Sequence, residues 1–372
     1  MKAICDRAAL VESLNLVSGV VVSRTPKPVL RCVKLTADAT APALTLSATD
    51  LEIFVRTQTP RVEVSEPGEA LIPADTLSQI VRESVDPTLA LETEQDATHI
   101  RGQDSHFKVF GSAPEEFPPL PEFEDPADFE ITSGTLTQLI QQTTFASARE
   151  NSRYAMNGVL MEREGSKLCL VATDGHRLAV ARGDCAAARS DDTSTKTAIV
   201  PTKALVLLGR LLGADPDQTV RVRVAGNQIL LATATTVLAS NLVEGNFPPY
   251  RDVIPRDGDK KATLATDVLA SAVRRAALLT NEESKGVRFS FTAEGLTLTS
   301  RAAEMGEAQI GVECPGYQGD PIEIGFNPQY ILDALKVVDA SEIQLDMKAA
   351  GKPGVIRTGP QFEYVVMPVN LQ

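Results

Sequence analysis

The segment VATDGHRLAV, residues 171–180, contains the residues of this chain that are best suited by type and spacing to do chemistry. Asp174 lies two positions before His176, which is one of only three histidines, and Arg177 follows directly. An aspartate that orients a histidine can form a general base, so a hydrolase that uses Asp174 and His176 is one possible function. No serine or cysteine nucleophile motif accompanies the pair, and the pattern therefore argues against catalysis.

A metal site is not indicated by the sequence either. His99 and His106 lie far from His176, and no acidic cluster has the spacing of metal ligands. The five cysteines are scattered without a C-x-x-C pair, at Cys5, Cys32, Cys169, Cys185 and Cys314. We therefore expect no catalytic residue, no metal and no cofactor, and the cysteine pattern is typical of a reducing cytoplasm.

The triplet ATD occurs twice, at Ala48–Asp50 and again at Ala172–Asp174. Each copy ends a run of alternating apolar residues that is typical of a β-strand. A plain structural function for Asp174, in the geometry of the turn that follows the strand, is therefore the alternative to a function in binding.

The composition is that of an acidic chain with aliphatic cores. The 372 residues are 43% hydrophobic but only 5% aromatic, without tryptophan, and the formal net charge is −13. This length predicts two or three domains. The first residues, MKAICDRAAL, contain charges before any apolar run, and no apolar stretch is long enough to span a membrane. We therefore expect a cytoplasmic protein without a signal peptide or a membrane partner.

The elements that must position the ATD turns recur three times, with a period of about 125 residues. In each copy an amphipathic helix is followed by alternating strands, a second helix and further strands. The predicted helices lie at 7–20, 74–84, 135–149, 202–212, 267–279 and 328–338. Acidic, proline-rich stretches at 114–130 and 245–261 separate the copies. We predict an α+β fold of three similar domains, 1–125, 126–256 and 257–372, each with two helices packed on antiparallel sheets.

The charge is not spread evenly along the chain. The six predicted helices carry eight Lys and Arg against five Asp and Glu, whereas the whole chain carries −13. One interpretation is that exposed helix faces often hold basic residues because these residues form helices well. The other is that the helices share a basic face that binds a polyanion on an otherwise acidic body.

Three segments carry a family likeness: TDGHRLA at 173–179, NFPPYRDVIP at 246–255 and YVVMPVNL at 364–371. Together with the threefold repeat, they closely resemble the bacterial sliding clamp family, the beta subunits of DNA polymerase III. The resemblance implies a head-to-tail homodimer that closes a ring of six similar domains with pseudo-sixfold symmetry. It also implies that the ring encircles duplex DNA without reading its sequence. By the same resemblance the chain is not an enzyme but a processivity factor in DNA replication, which tethers the replicative polymerase, the clamp loader and other proteins with a clamp-binding motif.

The resemblance further implies one pocket per chain for short peptide motifs of partner proteins. The corresponding residues of this sequence are Met156, Thr173, Gly175, His176, Arg177, Leu178, Pro248, Val253, Val365, Val366, Met367 and Pro368. Leu178, Val253 and Met367 are suited to an apolar cup, and methionine adapts its shape to different guests. His176 and Arg177 are expected to offer hydrogen-bond donors at the rim of this cup.

The sequence departs from the family pattern near this pocket. Asp252 and Asn370 stand where the family usually has basic residues, and Gln372 extends the tail. These changes make the pocket less positive, so its preferred partner peptides are expected to differ. Ala155 stands where an aromatic residue is common, which weakens any stacking contact with DNA.

The resemblance and the basic helix faces together indicate the DNA contacts and the dimer interface. The candidate DNA-binding residues are Arg24, Arg82, Arg149, Arg153, Tyr154, Lys203 and Arg210. The ring interface is expected to pair Phe107 and Val109 of the first copy with Leu278 and Leu279 of the third. An ordinary place in the core is the alternative for these four residues, and a monomeric three-domain interaction scaffold is the alternative for the whole chain.

Overall fold

The computed structural model describes residues 1–38, 40, 43–124, 126–148, 155–187, 195–213, 215–280, 286–302 and 305–371. These residues form two compact units. The first unit consists of the described residues of Met1–Gly134, Ala186–Asp192 and Lys203–Leu242, and the second of those of Thr135–Cys185, Thr193–Thr202 and Val243–Gln372. The boundaries between the units therefore fall within the second repeat.

The described residues contain six helices, two in each repeat: α1 Arg7–Val17, α2 Ala74–Glu83, α3 Ser133–Thr144, α4 Thr202–Leu211, α5 Thr266–Ala277 and α6 Pro328–Lys336. The six helices predicted from periodicity are all present, although each ends before its predicted position. The Asp6 carboxylate caps the start of α1, because it accepts a hydrogen bond from the Ala9 N–H at 2.9 Å. At the end of α1 the Ser18 hydroxyl donates to the Leu14 carbonyl at 2.6 Å, and the helix stops at Val17.

Twenty-six strands accompany the helices in the described part of the chain. The first repeat holds β1 Lys2–Asp6, β2 Cys32–Asp38, β3 Ala43–Thr49, β4 Ile53–Thr59, β5 Val62–Glu66, β6 Gly68–Pro73, β7 Thr88–Glu94, β8 Ala97–Arg101 and β9 His106–Phe110. The second holds β10 Phe129–Thr132, β11 Gly158–Glu164, β12 Lys167–Thr173, β13 Arg177–Asp184, β14 Ala186–Ala187, β15 Lys196–Pro201, β16 Thr219–Ala225, β17 Gln228–Ala232 and β18 Thr236–Asn241. The third holds β19 Lys260–Ala265, β20 Val287–Thr292, β21 Gly295–Ala302, β22 Gly306–Val312, β23 Ile322–Phe326, β24 Glu342–Met347, β25 Gly354–Arg357 and β26 Phe362–Val366.

Within each unit the strands form two antiparallel sheets. The first unit has a five-stranded sheet, β5-β1-β7-β8-β9, and a nine-stranded sheet, β14-β10-β16-β17-β18-β4-β3-β2-β6. The second unit has an eight-stranded sheet, β15-β11-β12-β13-β26-β25-β24-β19, and a four-stranded sheet, β22-β21-β20-β23. The two long sheets each join strands of consecutive repeats, because β4 pairs with β18 in one and β13 pairs with β26 in the other. The predicted α+β architecture, with two helices per repeat on antiparallel sheets, is therefore confirmed.

Helices cover one face of the sheets and leave the other face open. Leu10 and Leu14 of α1 are buried where that helix contacts β3 and β4, whose Leu46 and Val55 are buried on the same side. The alternate residues of these strands point to the opposite face, as the period of a strand requires. The sequence pattern therefore fixes which face of each sheet remains available to solvent or a partner.

Strands β9 and β22 end their sheets without a second neighbouring strand in the described part of the chain. A strand at a sheet edge presents unpaired N–H and C=O groups, which makes it a template for pairing with another chain. At the other end of the four-stranded sheet, by contrast, the Val369 N–H donates to the Gly325 carbonyl of β23 at 2.9 Å. The C-terminal tail thus contacts β23, whereas β22 has no such neighbour among the described residues.

Candidate functional site

The turn between β12 and β13, Thr173–Arg177, is built by its own side chains. The Asp174 carboxylate accepts hydrogen bonds from the N–H groups of His176 at 2.9 Å and Arg177 at 3.0 Å. The Thr173 hydroxyl donates to the Arg177 carbonyl at 2.7 Å and accepts from the Gly175 N–H at 3.1 Å. Asp174 and Thr173 therefore close the turn themselves, in the manner of an Asx turn.

The other ATD triplet builds the same turn in the first unit. The Asp50 carboxylate accepts from the N–H groups of Glu52 at 3.0 Å and Ile53 at 2.7 Å, and the Thr49 hydroxyl donates to the Ile53 carbonyl at 2.9 Å. Leu51 has a φ of 78° at the position where Gly175 has a φ of 87°. This recurrence agrees with the interpretation that Asp174 has a structural function in its turn. At the residue where the backbone adopts a left-handed conformation, the second turn has a glycine, which favours that conformation.

The Arg177 guanidinium is hydrogen-bonded to other residues of the second unit. Its Nε donates to the Asp174 carboxylate at 3.0 Å, and Nη1 donates to the Asp333 carboxylate of α6 at 2.5 Å. Its Nη2 donates to the Phe145 carbonyl at 2.8 Å, and the guanidinium lies 4.5 Å from the centre of the Tyr330 ring. Three of its N–H groups thus hold the turn against α6, and a further contact of this side chain with a guest at the rim stays a prediction.

The electrostatic setting keeps Arg177 charged. Burial alone would lower its pKa, but the hydrogen bond to Asp333 and the nearby negative charges outweigh burial and raise the pKa above its ordinary value. Replacing Arg177 with a neutral residue would leave the negative charges of Asp174 and Asp333 without a cation in a partly buried environment. Arg177 thus positions the turn and does so as a permanent cation.

His176 lies on the surface of the turn. Its ring stacks on the Tyr330 ring with 6.4 Å between centroids, and its carbonyl accepts a hydrogen bond from the Met367 N–H at 2.9 Å. Asp174 cannot serve it as a catalytic partner in this arrangement, because the Asp174 oxygens bond the turn N–H groups and the Arg177 side chain. The geometry therefore gives no support to the hydrolase alternative.

Beside this turn the second unit has a cavity of about 530 Å³, which we call the socket. It is lined by Met156, Thr173, Gly175, Arg177, Leu178, Pro248, Tyr250, Val253, Pro353, Val365 and Met367. The structure thus brings together nine of the twelve residues predicted for the peptide pocket. The exposed fractions of Val253, 56%, and Met367, 41%, are high for apolar side chains and place both at the open rim.

Three of the predicted pocket residues do not line the socket: His176, Val366 and Pro368. Val366 is fully buried, and it follows Val365 on β26, so the two side chains point to opposite faces of the strand. The strand period, which was already visible in the sequence, distinguishes these two valines. Only Val365, which pairs with Leu178 across the sheet, faces the socket.

Tyr250 and Pro353 line the socket although they were not among the predicted residues. Tyr250 is buried in an apolar cluster with Leu160 and Ile199, and its hydroxyl donates to the Glu162 carboxylate at 2.7 Å. Burial and this hydrogen bond both raise the pKa of Tyr250 above its ordinary value. The aromatic position of the FPPY motif was a sequence signal for Tyr250, whereas no signal distinguished Pro353.

The predicted DNA-binding residues are partly tied to neighbours. Arg24, Arg82, Lys203 and Arg210 are all exposed. Within the first unit the Lys203 ammonium lies 2.5 Å from the Asp50 carboxylate, and Arg82 donates to the Asn15 side chain. Arg149, Arg153 and Tyr154 lie outside the described residues.

The residues predicted for the dimer interface differ in exposure. Phe107 is 40% exposed on β9 and Leu278 is 72% exposed at the end of α5, while Leu279 is half-buried. Val109 is only 8% exposed, so its side chain already packs within the first unit and the core interpretation fits it. Phe110, which was not predicted, is strongly exposed on the opposite face of β9.

No cluster of His, Cys, Asp and Glu suited to a metal ion occurs among the described residues. Likewise, none of the helices in the described ranges is both long and apolar enough to span a membrane. All five cysteines are free thiols, and burial raises the pKa of each of them. A socket with apolar walls and no reactive group is suited to binding a peptide side chain.

Comparison with known proteins agrees with this fold. Family models for the DNA polymerase III beta subunit match the chain in order: the N-terminal domain at residues 1–121, the central domain at 130–249 and the C-terminal domain at 251–370. The beta sliding clamp of Haemophilus influenzae is 34% identical over 369 residues, which cover 98% of this chain and 99% of the relative. That of Escherichia coli K12 is 33% identical over 375 residues and covers 100% of both chains.

Solved structures extend the likeness to three dimensions. The DNA polymerase sliding clamp from Bacillus subtilis superposes with a TM-score of 0.93 at 28% identity, over 100% of both chains. A sliding clamp from Pseudomonas aeruginosa bound to griselimycin superposes with a TM-score of 0.92 at 32% identity, again over 100% of both chains. These matches, in sequence order and over the whole length, show that the chain belongs to the DNA polymerase III beta subunit family.

Proposed function

We propose that two copies of this chain form a sliding clamp, which encircles duplex DNA and tethers the replicative polymerase to it. The observation that carries this proposal is that the edge strand β9 bears the exposed Phe107, while the third repeat has the edge strand β22 and the exposed Leu278. Full-length relatives named beta sliding clamp support the same function. The monomeric scaffold gives no function to the exposed Phe107 and Leu278, and the Asp174 carboxylate of the hydrolase alternative is already bonded within its own turn.

Pairing of β9 with β22 of a second copy satisfies the free backbone groups of both strands. Phe107 on β9 and Leu278 at the end of α5 are both exposed, and burying such side chains contributes roughly 1.5–3 kcal/mol each. On the solvent faces β9 carries Lys108 and β22 carries Glu307, which are opposite charges. Because β9 belongs to the first repeat and β22 to the third, two copies join head to tail through two equivalent interfaces.

The DNA contacts are proposed to be electrostatic and independent of sequence. Arg24, Arg82, Lys203 and Arg210 supply cations for phosphate groups, and Arg149, Arg153 and Tyr154 are proposed to join them. Lys203 must leave Asp50 to reach a phosphate, which keeps its contact weak. Weak phosphate contacts on an acidic chain allow a closed ring to slide, since topology rather than affinity keeps it on the DNA.

The socket is proposed to receive short apolar motifs of the polymerase, the clamp loader and other partners. Its exposed rim, Val253 and Met367, is free to pack on a guest, and its floor, Leu178 and Val365, is already ordered in the core. Little reorganisation is therefore needed on binding, which favours affinity. Arg177 keeps the socket in shape through α6, and a contact of its guanidinium with the guest stays a prediction.

The remaining features of the proposal follow from the clamp function. The three clamp domains are proposed to be residues 1–125, 126–256 and 257–372, one for each repeat. The clamp acts in the cytoplasm, where bacterial DNA is replicated, and it has no catalytic activity of its own. It requires no cofactor.

Phe107→Asp together with Leu278→Asp is expected to give a soluble monomer. Each interface of the ring then loses an apolar pair and gains two carboxylates that repel one another. Light scattering should report a mass near the 39.8 kDa of one chain, against twice that value for the natural protein. Val85→Asp, which changes an exposed apolar residue outside the proposed interface, should remain dimeric. A double variant that stays dimeric would remove this interface.

Clamp loaded onto closed circular DNA by its own loader is expected to stay bound at high salt and to leave after the circle is cut. The physical reason is that salt weakens phosphate contacts steeply but cannot open a topological link. Retention on a gel-filtration column measures this, with the DNA cut by one restriction enzyme as the comparison. Equal loss from circular and linear DNA would contradict encirclement.

Val253→Glu together with Met367→Glu is expected to weaken binding of a C-terminal peptide of the replicative polymerase at least roughly tenfold, because charges replace the apolar rim. His176→Ala should cost less than this, since His176 lies outside the socket. Calorimetric titration with the peptide measures both variants, and Val85→Glu serves as the control. Unchanged affinity in the double variant would mean that partners dock elsewhere, while the dimer would be unaffected either way.

A further inference from the structure

The first unit has a second large concavity, on the open face of its nine-stranded sheet. Its volume is about 770 Å³, and we call it the outer groove. The floor is formed by strands β2, β3, β4 and β18, and one wall is the connector Phe117–Phe123. The opposite face of β3 and β4 packs on α1, so the groove lies on the side of these strands that α1 leaves uncovered.

The strand register places a row of polar side chains across the floor of the outer groove. Lys34 pairs with Ser47, Ser47 pairs with Arg56, and Arg56 pairs with Val237. Paired residues point to the same face of a sheet, and neighbouring strands lie about 4.8 Å apart. Lys34 and Arg56 therefore lie about 10 Å apart on the same face, two strands from one another.

The cations of the outer groove differ in how far they are already paired. The Lys34 ammonium lies 2.9 Å from the Glu69 carboxylate. The Arg221 guanidinium lies over the Phe123 ring, 4.7 Å from its centre. Arg56, at the middle of the floor, forms no ion pair with a carboxylate among the described residues. It is therefore the cation best placed to accept a carboxylate from outside, and charge-assisted hydrogen bonds of this kind are among the stronger ones.

The outer groove is positively charged on a strongly acidic chain. Three cations line it, Lys34, Arg56 and Arg221, against the two carboxylates of Glu69 and Glu122. The whole chain carries −13. A local excess of positive charge in a concave surface attracts an anionic group in preference to the rest of the molecule.

The repeat explains why a groove recurs at this place. The connector of the first unit, FPPLP, packs Leu120 on Cys32 and Leu71, while that of the second unit, FPPY, packs Tyr250 on Leu160 and Ile199. In each unit a connector thus lies beside the open face of a sheet. The socket next to Tyr250 is apolar, whereas the outer groove offers cations and hydroxyl groups, so the two sites are suited to different guests.

We propose that the outer groove binds a short protein segment that carries one or two carboxylates, with a carboxylate on Arg56. A nucleic acid is disfavoured, because the connector carries Glu122 and is flanked in the sequence by Glu115, Glu116 and Glu124, and these charges would repel a continuous run of phosphates. A short peptide presents a carboxylate to Arg56 without extending over that acidic border. This site lies outside the socket and does not depend on the ring.

The experiment uses a fluorescein-labelled octapeptide of glycine and serine with two central aspartates and one leucine. Fluorescence anisotropy at low salt is expected to show binding to the natural protein, and Arg56→Gln with Arg221→Gln should weaken it at least roughly tenfold. Arg288→Gln, which removes an exposed arginine from β20 in the second unit, should leave binding unchanged. The same peptide with asparagine in place of aspartate should not bind.

Several results would overturn the proposal. They are equal binding of the aspartate and asparagine peptides, unchanged binding by the Arg56 and Arg221 variant, and binding by a single-stranded oligonucleotide at this groove in place of the peptide. Amide chemical shifts of Ser47, Gln58 and Thr235 should move with the peptide, and shifts confined to other surfaces would count equally against it. Because the assay needs neither DNA nor the dimer, its failure would leave the clamp function untouched.

Discussion

The hydrogen-bonding requirement of sheet edges is the constraint on which the rest of this structure depends. Each long sheet is completed only because strands of consecutive repeats pair, β4 with β18 in the first unit and β13 with β26 in the second. The two shorter sheets are each built from strands of one repeat, and they end at β9 and β22 without a further strand among the described residues. Closing these edges with a second copy requires no new kind of interaction, because it continues the pairing that joins the repeats.

The same pairing builds the socket. Strand β26 meets β13 directly after the Thr173–Arg177 turn, so Val365 lies opposite Leu178 and Met367 bonds the His176 carbonyl. Arg177 then holds the turn against α6, because its guanidinium donates a hydrogen bond to the Asp333 carboxylate. The site is thus a product of the junction between the second and third repeats, which explains why residues nearly two hundred positions apart in the sequence form one apolar surface.

Much of the fold could be predicted from the sequence, because it depends on local periodicity. Helical spacing of apolar residues located all six helices, and the recurrence of ATD located two turns whose hydrogen bonds are the same. The predicted ends of the helices were less accurate. For example, α1 ends at Val17, where the Ser18 hydroxyl donates a hydrogen bond to the Leu14 carbonyl. The family resemblance supplied most of the socket, and strand alternation would have separated Val365 from Val366.

Long-range partners could not be predicted in the same way. Nothing near Arg177 in the sequence indicates that its guanidinium donates a hydrogen bond to Asp333. The sequence alone therefore predicts a hydrogen-bond donor on the surface. The burial of Val109 and the exposure of Phe110 depend on which face of β9 turns toward the interior of the first unit, which a five-residue strand does not reveal by itself. Pro353 reaches the socket only because β25 pairs with β26.

Amide hydrogen exchange along β9 and β22 tests the central claim most directly. Alternate amides of an edge strand point away from their own sheet, and they exchange rapidly unless another strand covers them. If two copies close the ring through these edges, the outward-pointing amides within His106–Phe110 and Gly306–Val312 will be protected in the natural protein and will lose protection in the Phe107→Asp, Leu278→Asp variant. Rapid exchange of these outward-pointing amides in the natural protein, equal to that in the variant, would contradict ring closure at these edges.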